Sequence, residues 1–199
     1  VGAVIKREIR GNTLVLAIDP GDAKAAGNIC YAASFIDGCL SCLQGLDYAG
    51  ARAWREHAGA GPDVLVIEKP QMDGRSRKTP PRVLINLAWN GALVAGELQA
   101  VKLEQMTPSE WKGSVNKHPH HMRIWRRLSR VEQEIVGDAA RWTRKRSGPL
   151  TPSEVYKLLY GAAENYARTG KSTKHPFYDV LDAVGLGLRY LGRIGGGTA

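Results

Sequence analysis

The sequence predicts an α/β fold: a five-stranded mixed β-sheet flanked by helices. Three observations lead there. Leu14-Val-Leu-Ala-Ile-Asp19 and Asp63-Val-Leu-Val-Ile-Glu68 are short, largely β-branched apolar runs, as buried strands are. Pro follows each run at once or one residue later, which fits the strand stopping there. Ile36-Asp-Gly-Cys39 sets an Asp-Gly pair between apolar residues, the strongest short hairpin signal. The resulting order is β-β-β-α-β-α-β and then helices, a sheet covered by helical layers.

The elements follow in order. Residues 14–19 are the first strand, 27–35 the second and 39–43 the third. Asp47 to Ala58 reads as a short helix with Asp47 as its N-cap, ended by Gly59-Ala-Gly-Pro62. Residues 63–68 are the fourth strand. The segment 70–82 is basic, Pro-rich and without periodicity, which predicts an exposed, mobile loop. Residues 83–98 form a helix with two apolar sides. Leu84, Leu87, Val94 and Leu98 line one; Ile85, Ala88, Ala92 and Ala95 line the other. One side would cover the sheet, and the other would meet a second subunit or more core. Residues 100–106 are the fifth strand, and 107–117 an exposed loop or the start of a helix. Residues 121–136 and 152–168 are helical, the latter opened by Thr151-Pro-Ser-Glu154. The last helix runs over 178–191, and residues 193–199 fray. All 199 residues are expected in one domain.

Apolar residues make up 43% of the chain, enough for a sizeable core. The net charge of +9 points to a polyanionic partner, most simply nucleic acid. Three cysteines, Cys30, Cys39 and Cys42, with no targeting pattern in residues 1–13, predict a reducing cytoplasm. No apolar run is long enough to span a membrane.

Four acids carry the chemistry. Asp19 and Glu68 end their strands. Asp179 and Asp182, spaced i and i+3, project to one side of the last helix. Clustered carboxylates on a rigid frame repel one another unless a divalent cation joins them. Each acid alone has a plainer reading: Asp19-Pro-Gly21 as a turn, Asp179 as a helix cap. Their joint placement favours a metal site for phosphodiester hydrolysis.

These motifs resemble the RuvC-like Holliday junction resolvases, which share the RNase H-like fold. The likeness lies in Asp19-Pro20-Gly21 with Gly27, in Glu68, in Leu93-Val-Ala-Gly96, and in Asp179-Val-Leu-Asp182-Ala183. It implies that Asp19, Glu68, Asp179 and Asp182 are catalytic and hold two Mg²⁺ or Mn²⁺ ions. It implies a homodimer that cuts four-way branched DNA. A helicase partner is a family expectation that the residues themselves do not imply. Asp22 stands where the family often has a small residue, and Gln71, with Met72 next, where some members have an aromatic. Trp142-Thr-Arg-Lys-Arg-Ser-Gly-Pro149 interrupts the helical region. These departures point to a bacteriophage or divergent bacterial member, acting in a bacterial or phage-infected bacterial cytoplasm.

Lys112, Lys117 and Arg123 follow the fifth strand, and Arg75, Arg77, Lys78 and Arg82 lie in the basic loop. They are the expected DNA contacts, since Lys and Arg suit phosphate oxygens. Trp111, Trp125 and Trp142 are read as packing residues. Cys39-x-x-Cys42 and His118-Pro-His-His121 are not read as a zinc site. On a regular strand i and i+3 point to opposite faces, and Cys30 and Cys39 are read as buried. The function expected is junction-resolving endonuclease. The alternatives are a general branched-DNA or RNA–DNA hybrid nuclease, a non-catalytic junction binder, and an ATP-binding relative of the actin fold.

Overall fold

The computed structural model describes residues 13–20, 30–70, 80–139, 148–171 and 177–195. Among them five strands form one sheet: β1 (Leu14–Asp19), β2 (Cys30–Ile36), β3 (Cys39–Leu46), β4 (Val64–Glu68) and β5 (Lys102–Met106). The strand order is β3-β2-β1-β4-β5. β1, β2 and β3 are antiparallel neighbours, whereas β4 pairs parallel with both β1 and β5. Asp37 and Gly38 take φ of 51° and 80°, so the predicted Asp-Gly hairpin turns as its composition requires. The parallel strands β4 and β5 are reached by helical crossovers. These are α1 (Tyr48–Ala58) and α2 (Pro81–Leu98). Asp47 caps α1, its Oδ1 accepting from Gly50 N at 2.6 Å.

Alternation along β1 feeds two cores. Leu16 and Ile18, with Leu65 and Ile67 of β4, face Ala51 of α1 and Val94 and Leu98 of α2. Val15, Ala17, Val64 and Val66 face the opposite layer. That layer is built from α3 (Pro108–Lys112), α4 (Lys117–Trp125), α5 (Arg130–Ala139), α6 (Pro152–Thr169) and α7 (Phe177–Tyr190). α7 lies closest on β1 and β2. A Cβ at Gly187 would overlap the Phe35 ring, and one at Gly185 would sit 2.8 Å from Trp111. Trp111 and Trp125 are core residues, as their sequence context predicts.

Four expectations need correction. The stretch 121–136 is not one helix but α4 and α5. Glu132 accepts from Ser129 N at 2.8 Å, and Ser129 Oγ accepts from Glu132 N at 3.3 Å. This reciprocal cap starts a new helix. Residues 81 and 82 belong to α2, which begins at Pro81 inside the segment expected as loop.

Cys39 and Cys42 do not point to opposite faces, and Cys39 is exposed rather than buried. Phe35 pairs with Leu40 and Ser34 with Cys42, which leaves Ser41 as the extra residue of a bulge. The bulge resets the alternation, so Leu40 and Leu43 both enter the core and both cysteines face outward.

Residues 193–195, expected to fray, are held. Ile194 is buried, and Arg193 reaches across the molecule. Its guanidinium grips Glu132 through both oxygens, at 2.5 and 2.8 Å, and donates to the carbonyls of Gly38 and Arg127. Glu132 also accepts from Leu40 N at 2.9 Å. One carboxylate thus fastens the β2–β3 hairpin, α5 and the segment after α7. Burial would raise the Glu132 carboxyl, but Arg193 and the Leu40 and Ser129 amides bring it down to about 2.

Candidate active site

β1 and β4 end side by side, since Ile18 pairs with Ile67. Asp19 and Glu68 are therefore carried to the same end of the sheet. α7 crosses that end with Asp179 in its first turn and Asp182 one turn on. One carboxylate oxygen from each of Asp19, Asp179 and Asp182 lies within 4.8 Å of the others. Glu68 flanks this trio: after burial, its charge is the largest influence raising the Asp19 carboxyl.

Three donors from the segment 107–125 reach these acids. Lys117 Nζ bridges Asp179 Oδ1 at 3.0 Å and Asp182 Oδ2 at 2.7 Å. His121 Nε2 meets Asp182 Oδ1 at 2.8 Å. Trp111 Nε1 donates to Glu68 Oε2 at 2.8 Å. Lys112 lies over the Trp111 ring, 5.1 Å from its centroid, and its charge acts on Glu68.

The electrostatics follow from burial and crowding. Burial first, then Glu68, Asp182 and Asp179, hold the Asp19 carboxyl well above the usual aspartate range. Burial raises Glu68 as well, against the pull of Lys112. Burial would also raise Asp182, but His121 and Lys117 hold it well below the usual range. Burial would lower Lys117, yet Asp182 and Asp179 keep its ammonium firmly charged. Burial lowers His121, and against ionised Asp182, which only accepts, its Nε2 is the donor.

Four acids thus face one bridging ammonium. An all-oxygen cluster whose negative charge is only partly compensated suits a hard divalent cation. Asp19, Asp179 and Asp182 would be its ligands, with Glu68 at the edge of the group.

The remaining sequence candidates fall differently. Lys112 and Lys117 stand at the acids. Arg82 is exposed on the first turn of α2. Arg123 is half-buried and donates to its own chain, at Gly195 O. Arg75, Arg77 and Lys78, like Asp22, Gln71, Met72 and Trp142, lie outside the described residues. Sequence reasoning missed Trp111 and His121 as partners of the site. Their acids lie 43 and 61 positions away, and no local pattern signals such a pairing. Among the described residues no helix is long and apolar enough to cross a membrane.

The described residues thus form a mixed α/β sheet in the order β3-β2-β1-β4-β5, with acids at the ends of β1 and β4 and on the last described helix. No protein-family model and no curated protein matches the chain. Among solved structures it is similar to Thermus thermophilus RuvC, at 12% identity and TM-score 0.35, over 81% of this chain and 99% of that one. It is similar to T. thermophilus RuvC in complex with Holliday junction substrate, at 15% identity and TM-score 0.35, over 81% and 98%. It is also similar to the nuclease domain of the large terminase subunit of bacterial virus Sf6, at 12% identity and TM-score 0.39, over 89% and 88%.

Proposed function

We propose that the protein is a metal-dependent endonuclease that resolves four-way DNA junctions as a homodimer, leaving 5′-phosphate ends. The observation that carries this is the convergence of Asp19, Asp179 and Asp182 within 4.8 Å, beside Glu68, on a chain of net charge +9. The junction as substrate rests on the motif resemblance around Asp19, Glu68, Asp179 and Asp182.

Asp19, Glu68, Asp179 and Asp182 would hold two Mg²⁺ or Mn²⁺ ions. Such ions activate water and stabilise the leaving oxygen in phosphodiester hydrolysis. The residues do the rest. The strand ends carry Asp19 and Glu68, and α7 carries Asp179 and Asp182, so the backbone brings the four acids to one place. Lys117 and Lys112 offer ammonium groups at the site, where a backbone phosphate has to lie.

The dimer is supported by α2. Ile85 and Trp89 are 66% and 65% exposed, and Leu93 stands beside them. Ala88, Ala92 and Gly96, also exposed, repeat every fourth residue on the same helix. Small residues at that spacing let a second α2 approach closely, and the twofold axis would set two sites on two strands. Trp89→Glu is expected to convert dimer to monomer by light scattering while leaving the circular dichroism spectrum intact. A wild type that is monomeric at tens of micromolar would remove the dimer.

The reading is tested on an immobile four-way junction and a matched linear duplex, each with Mg²⁺ or EDTA. Paired symmetrical nicks on the junction alone, absent with EDTA, are the expected result. Equal cutting of both substrates would replace it with a general branched-DNA or hybrid nuclease. Tight junction binding without cutting, in Mg²⁺ or Mn²⁺, would leave a non-catalytic binder.

A further inference from the structure

Two of the four acids are tied by rings that the sequence did not connect to them. Trp111 is fully buried and packs edge-on to His120, with ring centroids 5.0 Å apart. It also closes on α7 at Gly185, so the indole has no room to turn. His121 is fully buried and stacks on Tyr178, with centroids 5.1 Å apart and planes at 28°. His118 closes on both rings from the side. Each ring therefore aims a fixed N–H at one particular oxygen, Glu68 Oε2 or Asp182 Oδ1, and Lys117 Nζ lies 2.7 Å from the other Asp182 oxygen, Oδ2, which a cation would share or take over.

Rotating either carboxyl to offer both oxygens elsewhere would break that bond. A buried N–H would be left unpaired, which is unfavourable. The tie bears on cation choice. Ca²⁺ takes six to eight oxygens and often uses carboxylates through both oxygens. Mg²⁺ demands a compact octahedron and is served by single-oxygen carboxylates and water. Resting on the metal-dependent reading above, we propose that Trp111 and His121 are positioning residues that hold Glu68 and Asp182 as one-oxygen donors, biasing the cluster toward Mg²⁺ and Mn²⁺ over Ca²⁺.

His121→Leu and Trp111→Phe each remove one N–H and keep an apolar side chain in place. His121→Gln keeps a donor near the position of Nε2. The measurement is isothermal titration of the EDTA-stripped protein with MgCl₂, MnCl₂ and CaCl₂, without DNA, on samples whose circular dichroism matches wild type. The ratio of the Ca²⁺ to the Mg²⁺ dissociation constant is expected to fall about tenfold in His121→Leu and in Trp111→Phe, and to stay near wild type in His121→Gln. A ratio within one cation series is insensitive to a general loss of stability. Should His121→Leu not fold, Trp111→Phe reads the same effect through Glu68. Cation binding with an unchanged ratio in the folded variants overturns the positioning role alone. A wild type that takes up no divalent cation overturns the metal-dependent reading, and the selectivity with it.

Discussion

Asp19→Asn is expected to abolish junction cleavage and, at the same time, to raise the melting temperature of the metal-free protein. Asn keeps the shape of the side chain and removes its charge. The loss of a proposed ligand should slow cutting by about a thousandfold or more, about 4 kcal/mol of barrier. The gain in stability has a separate origin. Burial and the charges of Glu68, Asp182 and Asp179 all raise the Asp19 carboxyl. Its folded pKa thus lies above its unfolded value near ~3.9, so folding binds a proton there. Wild-type stability from this group is full below the unfolded pKa and is lost as pH rises through the folded one. The Asn variant escapes that loss, so its advantage should be present at pH 7 and absent near pH 3. Added Mg²⁺ should reverse the order by stabilising wild type alone. Scanning fluorimetry across pH, beside a nicking assay, checks both halves. Cleavage above about one-hundredth of wild type would remove Asp19 from the reaction.

Glu132→Ala is expected to be the most damaging single change away from the site. It leaves Arg193 without its carboxylate and Leu40 N without its acceptor. Removing one partner of a buried ion pair costs about 3–5 kcal/mol. In a chain of this length that lowers the melting temperature by roughly 10 °C. The pH dependence has the opposite sign to that of Asp19. Glu132 is depressed to about 2 in the folded protein. Its stabilisation is full above the unfolded glutamate pKa of ~4.3 and is lost as pH falls toward about 2. Acid unfolding of wild type should therefore begin in that window, while Glu132→Ala, already lacking the contribution, responds less. A melting temperature within 2 °C or so of wild type at pH 7 would show that the clamp is dispensable.

Much of this architecture was legible because it is locally encoded. β1 and β4 announce themselves by apolar runs that end in an acid and then Pro, and the hairpin by Asp37-Gly38. The strand ends and the i, i+3 spacing on α7 pointed to Asp19, Glu68, Asp179 and Asp182, and of these Asp19, Asp179 and Asp182 converge within 4.8 Å. What escaped was set by tertiary partners or by one inserted residue. The Ser129–Glu132 cap that divides α4 from α5 carries a Ser-x-x-Glu pattern, but the apolar periodicity running through it reads as one helix. Ser41 shifts β3 out of register, which no alternation rule reports in advance. Trp111 and His121 look like any buried aromatic until the strands bring their acids to them. Arg193 sits in a glycine-rich ending, and its order comes from a carboxylate on α5.

The strap from Arg193 to Gly38 O spans 155 positions of sequence. Closing so long a loop is slow compared with forming a helix or a hairpin. β1 and β4 can assemble early around Leu16, Ile18, Leu65 and Ile67, yet two of the four acids arrive only when α7 docks. A chain that has folded its sheet but not this last helix would carry strand-end acids and no cation cluster. On the proposed function, competence to cut is expected to come late in folding, and amide exchange in α7 should track the recovery of activity after denaturation more closely than exchange in β1.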